Sequence, residues 1–230
     1  MVKRPDLPQM REQIEKEETE ERIFQAALQV FAAKGKSGAR MQEIADTAGI
    51  NKSMLHYYFR SKEKLYEAVF DYVFKRFELL QSTLEHAKTY KDTLRAFING
   101  FVDAHHQDQA VIRLMTNENL AGGTTMGKIL ARKDDYASPP SILIRETIKA
   151  IERGEIRPVD PHHMLLTVIS SCVFFMIWTP TIQIKMPGAS ENWDAFVEAR
   201  KKHIFEMIYY GLSTGDGVLD RQENNIKTPA

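Results

Sequence analysis

Three observations predict an all-α fold. Apolar residues recur at helical spacing along most of the chain, strand-like alternation never lasts beyond a few residues, and capping residues stand where the helical stripes begin and end. The 230 residues, 43% hydrophobic with ten methionines, suffice for a sizeable core in one large domain or two small ones. Basic and acidic residues balance at 31 each, so net charge carries no preference for nucleic acid. The distribution does. Residues 34–64 hold seven basic side chains against three acidic, and residues 12–21 hold six glutamates.

Residues 1–18 are polar and charged, include Pro5 and Pro8, and are expected to form a flexible arm that is disordered at first and then runs into a helix. Thr19 is the expected cap of a first helix whose stripe, Ile23, Ala26, Ala27, Val30 and Phe31, closes at Gly35. The loop 36–39 then leads into MQEIADTAGINKSMLHYYF, residues 41–59, around which the chain is organised. Ile44, Ala45 and Ala48 make the apolar stripe of one short helix, and Gly49 supplies the left-handed residue that ends it. Asn51 is a good N-cap for a second helix, on which Leu55 and Phe59 lie one turn apart. Two short helices about a glycine-centred turn match the helix-turn-helix signature. Lys52, Ser53, His56, Tyr57 and Tyr58 lie off the apolar stripe, more hydrogen-bonding groups than a core helix requires.

Ser61 is the expected cap of a fourth helix, and the stripe Leu65, Val69, Tyr72, Val73 and Phe77 carries it unbroken to about Leu80, with no Gly or Pro between. From Asp92 the pattern is helical again through Leu94, Phe97, Ile98, Phe101, Val102 and His105. A shorter helix covers residues 111–120 and closes at Ala121-Gly122-Gly123. Residues 124–138 are ambiguous, one irregular helix around Met126, Ile129 and Leu130. Ser138 before Pro139-Pro140 starts a helix that runs to Gly154, and Asp160-Pro161 opens the most apolar helix, to about Trp178, halted by Pro180. After Pro187-Gly188 a last helix spans about 192–212, and the tail from Thr214 is polar.

The stretch from about Arg22 to Phe70 resembles the DNA-binding domain of the TetR family of bacterial transcriptional regulators. The resemblance is carried by Phe31 and Gly35, Gln42-Glu43-Ile44-Ala45, Ala48-Gly49-Ile50, Tyr57-Tyr58-Phe59 and Ser61-Lys62-Glu63-Lys64-Leu65. It implies an all-α protein with an N-terminal helix-turn-helix DNA-binding domain, residues 19–66, and a larger helical ligand-binding and dimerisation domain, 67–213. A flexible arm, 1–18, and a flexible tail, 214–230, flank them. It also implies that Asn51 starts the recognition helix, that Lys52, Ser53 and His56 face the major groove, and that Gln42 joins them from the preceding helix. Lys52 would donate to guanine, Gln42 would pair with adenine, and His56 would meet a base edge or a phosphate. Arg40, Tyr57, Tyr58 and Lys62 are the implied phosphate contacts. Two positions depart from the family pattern: Arg40-Met41 stands where a capping Thr is frequent, and His56 stands where Tyr is usual. The C-terminal half, from Arg113-Leu114 to Gly127 and from Gly154 to Pro187, is more distantly similar to the pyrimidine-utilisation regulator branch of the family, from which no ligand is carried over.

In the second domain, helices rich in Phe, Met and Ile can enclose an apolar pocket. Phe101, His105, Met115, Asn119, Phe175, Met176 and Trp178 are the candidates for binding a partly apolar small-molecule effector, with simple core packing as the alternative for each. One recognition helix reads one half-site, so a homodimer is expected on a palindromic double-stranded operator. Val168, Phe174, Ile204, Ile208 and Tyr209 are the interface candidates on the last two long helices, with internal core again the alternative.

The lone Cys172 excludes an internal disulfide and suits a reducing cytoplasm. The N-terminus has no apolar leader, and the longest apolar run, residues 164–178, is 15 residues with Thr167, Ser170 and Ser171 inside it. A cytoplasmic protein with no membrane partner is expected. The adjacent pairs His105-His106 and His162-His163 point to different sides of a helix, so no metal site is expected, and no motif for catalysis or for a cofactor is present. The resemblance therefore implies a regulator, most simply a repressor released by its effector. An all-helical protein–protein adaptor that keeps the fold is the alternative.

Overall fold

The computed structural model describes residues 7–75, 77–106, 108–132 and 138–214. Among them are twelve α-helices, and the only β pairing is an isolated bridge between Ile156 and Ser213. The fold is all-α. The chain forms two compact units: the described parts of 1–75 with 110–133, and those of 76–109 with 134–230. The first unit is therefore assembled from two separate stretches of sequence.

In the first unit, α1 (Leu7–Gly38) is helical up to the break at Gly35, whose φ of 66° is the left-handed conformation expected there. It begins well before Thr19, which is no cap. The Thr19 hydroxyl donates to the Glu15 carbonyl, 2.8 Å, from inside the helix. Next come α2 (Met41–Ala48), α3 (Lys52–Tyr58) and α4 (Lys62–Lys75), the last capped by Ser61, whose hydroxyl accepts from the Lys64 amide. Ile23, Ala27, Phe31, Ile44, Leu55, Leu65 and Val69 are fully buried together. Each of these side chains larger than Ala27 contributes on the order of 1.5–3 kcal/mol of apolar burial. The insert α7 (Gln109–Leu120) and α8 (Thr124–Leu130) completes the unit; of the ambiguous stretch 124–138, the part around Met126 and Ile129 is the short α8, and residues 133–137 lie outside the described residues.

The expected single rod from Ser61 to Leu80 is two helices. Helix α4 stops at Lys75 and α5 (Glu78–Glu85) starts after Phe77. The two serve different cores: Val69 and Val73 pack in the first unit, whereas Leu80 and Leu84 pack in the second. A stripe that continues in sequence is thus divided between two interiors.

The second unit holds α5, α6 (Tyr90–His106), α9 (Pro139–Glu152), α10 (Pro161–Ile177), α11 (Thr179–Lys185) and α12 (Trp193–Leu212). Caps stand at Ser138, Asp160 and Asn192, the positions at which the sequence started these helices. Thr89 also caps α6, accepting from the Asp92 amide and donating to its carboxylate. Pro180 does not merely halt α10: it sits in the first turn of α11, where its missing N–H costs nothing. The α10–α11 pair bends by 67°, and among the described residues no single helix is long and apolar enough to cross a membrane. The core gathers Leu94, Phe97 and Ile98 of α6, Leu143 of α9, Val168 and Cys172 of α10 and Ile204 of α12. Burial pushes the Cys172 thiol up to about 12.

A candidate nucleic-acid interface

The turn between α2 and α3 is built by local chemistry. Gly49 adopts φ 68°, ψ 33°, and its amide and that of Ile50 return to the carbonyls of Asp46 and Ala45, closing α2. Two residues later the Asn51 carboxamide accepts the Met54 amide, 2.7 Å, and opens α3. Leu55 is the anchor of this seven-residue helix, fully buried against the first unit. With that face fixed, Lys52, Ser53 and His56 are exposed, and Tyr57 is 83% exposed. A Tyr left that open is a group awaiting a partner surface or solvent; it contributes nothing to the core.

A chain of aromatic contacts fixes the C-terminal end of α3. Tyr57 meets Tyr58 edge-on at 5.8 Å, Tyr58 stacks on Phe59 at 6.5 Å, and Phe59 meets Phe24 of α1 edge-on at 5.5 Å. Phe24 in turn stacks on Tyr72 of α4 at 5.0 Å, and the Tyr72 hydroxyl bonds Glu21 and Gln25. The exposed face of α3 is therefore carried on a rigid support reaching two other helices.

The remaining sequence-predicted contacts lie around it. Arg40 is exposed, extended and makes no side-chain cap to α2, as the missing Thr led one to expect. Gln42 is exposed, its amide donating to Asp46 at 2.8 Å, a pairing it would exchange to meet a base. The Asn51 side chain is committed to its cap. The Lys62 ammonium donates to the carbonyls of Ser37 and Ala39, 3.3 and 3.2 Å, tying α4 to the loop ahead of α2. Because an ammonium has three donors, one remains for a phosphate. Arg60, exposed between α3 and α4, was missed as a candidate; the signal was its place in the basic run.

The ligand candidates are not one cluster. Met115 and Asn119 ride on α7 in the first unit, where the Asn119 amide donates to the Met115 carbonyl. Phe101, Phe175, Met176 and Trp178 belong to the second. There Phe101 stacks on Phe97 at 5.8 Å, and Phe175 stacks on Trp193 and Phe196 at 5.6 and 6.3 Å. Phe175 is buried, Phe101 and Met176 pack on the same core, and Trp178 is half exposed beside Phe174. The His105 side chain lies outside the described residues. A depression of about 460 Å³ in this unit is lined instead by Lys91, Arg95, Lys201, Phe205 and their neighbours.

The dimer candidates divide as well. Val168 and Ile204 are buried in the core of their own chain, which fits the internal-core alternative given for them. Ile208 and Tyr209 are half buried on that core. Phe174 is 60% exposed, and it shares the outward face of α10 with Leu166 and Ile177, near positions one, two and three turns apart. Met207 is the exposed apolar residue of α12.

Residues 23–69 match the family described as bacterial regulatory proteins, tetR family, and residues 91–208 match the description tetracyclin repressor-like, C-terminal domain. The HTH-type transcriptional regulator RutR of Escherichia coli (strain K12) is 26% identical over 197 residues, covering 83% of this chain and 88% of RutR. A TetR family transcription regulator from Marinobacter aquaeolei VT8 has the same fold with a TM-score of 0.70 at 18% identity, covering 88% of this chain and 100% of its own. AibR, solved in complex with isovaleryl coenzyme A and operator DNA, has a TM-score of 0.64 at 23% identity, covering 81% and 98%.

Proposed function

The chain belongs to the tetR family of bacterial regulatory proteins, and from that premise we propose that it is a homodimeric repressor which a small-molecule effector releases from a palindromic operator. Its class is that of its family, a DNA-binding transcriptional regulator. One observation carries the reading: α3 buries Leu55 and turns Lys52, Ser53, His56 and Tyr57 outward on a braced support. Lys52, Ser53, His56 and Gln42 read base edges in the major groove, while Arg40, Tyr57, Tyr58 and Lys62 hold phosphates and Asn51 caps the reading helix. Residues 19–66 contain this reading surface; 67–213 serve effector binding and dimerisation.

The partner copy docks on the outward faces of α10 and α12. Leu166, Phe174, Ile177 and Met207 are the anchors, because water-exposed apolar side chains on two packed helices are offset only by a covering surface. Two half-sites of a palindrome then face two reading helices related by a two-fold axis. The effector is a partly apolar small molecule held in the second unit near the Phe97–Phe101 and Phe175–Trp193 stacks. The isovaleryl coenzyme A of AibR is an example of that class. Such a ligand releases DNA only through its differential affinity for the two spacings of the reading helices. The protein works in the cytoplasm, where its operator is, and no catalytic role is proposed.

Fluorescence anisotropy of the purified protein on DNA from upstream of its own gene, against a scrambled duplex over a salt series, tests the reading. Dimeric, sequence-preferring binding whose affinity falls steeply with salt is the expected result. Equal and salt-insensitive behaviour on both duplexes, and on a random-sequence pool, would replace it with the adaptor reading.

A further inference from the structure

Glu118, on α7, is 4% exposed and uses both carboxylate oxygens. One accepts the amides of Thr125 and Met126 at the start of α8, 2.5 and 3.2 Å; the other accepts the Tyr66 hydroxyl of α4, 3.1 Å. Tyr66 is itself buried, edge-on to Phe31 at 4.8 Å and Phe70 at 5.2 Å, with the Lys36 ammonium 5.3 Å over its ring. Burial, and then the Glu118 charge, push the Tyr66 phenol well above its ordinary range, so it remains a donor throughout neutral pH.

A buried carboxylate is a costly way to join two helices. Apolar residues of similar volume would pack at least as stably, whereas a charge-assisted hydrogen bond fixes direction and register. The chain path gives that direction a use. In sequence the α7–α8 insert lies between two stretches assigned to the second unit, yet it packs in the first. The insert grips the first unit through Asn117 on the Ala32 carbonyl, 2.9 Å, through Arg132 beside Glu67, 3.7 Å, and through Glu118 on Tyr66. Of these, the Glu118 bond is the buried one. Its partner stands in the second turn of α4, seven residues after Phe59 ends α3.

We propose that Glu118 is a positioning residue for DNA reading: by holding the Tyr66 hydroxyl it sets the placement of α4, and through α4 the presentation of α3. This rests on the regulator reading above. The bond ties the insert to α4 within the first unit, and α4 follows α3 directly in the chain.

The test uses full-length protein and a palindromic duplex enriched by the parent protein from random DNA. Tyr66→Phe keeps the ring and removes only the hydroxyl. It is expected to weaken operator binding on the order of tenfold, while the dimer persists and the Thr125 and Met126 amides stay protected from hydrogen exchange. Glu118→Gln, which can accept from those amides and donate to the Tyr66 oxygen, is expected to stay within about twofold of the parent. A purely structural bond would lower the melting temperature of Tyr66→Phe and leave operator affinity at 25 °C unchanged, and that result would overturn the inference. If the parent enriches no duplex, the regulator reading falls and the inference with it.

Discussion

The ammonium of Lys62 lies 3.2 Å from the carbonyl oxygen of Ala39, so the first residue of α4 is tied to the loop that delivers α2. Its second carbonyl, Ser37, leaves one N–H for a phosphate. Lys62→Ala is expected to weaken binding to all DNA sequences alike and to lower the slope of log K against log salt by about one. A salt titration by anisotropy measures both, and an unchanged slope would reduce Lys62 to a tether.

Lys52 is predicted to behave differently. It is exposed in the first turn of α3. Lys52→Ala is expected to relax base preference at one position in each half-site by about 1–3 kcal/mol. Binding selections on randomised half-sites read this directly, and a preference identical to the parent's would move the base contact elsewhere.

Gly49 tests the turn apart from the contacts. A methyl group there meets nothing within 4 Å, so the cost of Gly49→Ala is the left-handed backbone alone. Destabilisation of about 1–2 kcal/mol is expected, visible as a lower melting temperature. Insensitivity would mean that the turn relaxes into another conformation.

Phe174→Arg places a charge on the outward face of α10 without touching the core, because Phe174 is already exposed. Analytical ultracentrifugation is expected to show monomers, with operator affinity collapsing in parallel. Val168→Ala, by contrast, should lower stability by about 0.5–1.5 kcal/mol per buried methyl-sized loss and leave the dimer intact. A dimeric Phe174→Arg protein would send the interface to a different face.

Alkaline pH is expected to destabilise the fold through Tyr90. Burial pushes its phenol up to about 12 from an ordinary value of 10.0. Its contribution is fully present below pH 10, where both states hold the proton. Above that pH the unfolded chain releases the proton and the native chain does not, so stability falls as pH rises from 10 to 12. Denaturant melts across that window, with phenolate absorbance followed in parallel, check it. A native-state ionisation of every tyrosine near pH 10 would contradict it.

What the sequence disclosed follows the range of the physics. Gly49, Asn51, Ser61, Ser138, Asp160 and Asn192 were legible as helix ends because a cap is made with an amide only two or three residues away. The exposure of Lys52, Ser53 and His56 followed from Leu55 having to face inward. The break between α4 and α5 was illegible, since no Gly or Pro marks it and only the assignment of Val73 and Leu80 to separate cores explains it. Thr19 had the chemistry of a cap, yet its hydroxyl turned to a carbonyl inside a longer helix. On α10, apolar nearly all round, nothing in the pattern told buried Val168 from exposed Phe174. Glu118 was passed over as one more polar residue because its phenol partner lies 52 positions upstream.

The interleaving of 110–133 with the first 75 residues limits how this regulator can be recombined. A fragment ending at Lys75 would carry the complete reading helix but expose the Tyr66 side of α4, stripped of α7 and α8. Exchanging DNA specificity between relatives by splicing near that residue would pair a reading head with a foreign α7–α8 clasp. Functional chimeras should therefore be cut at two places, transplanting the clasp together with the head.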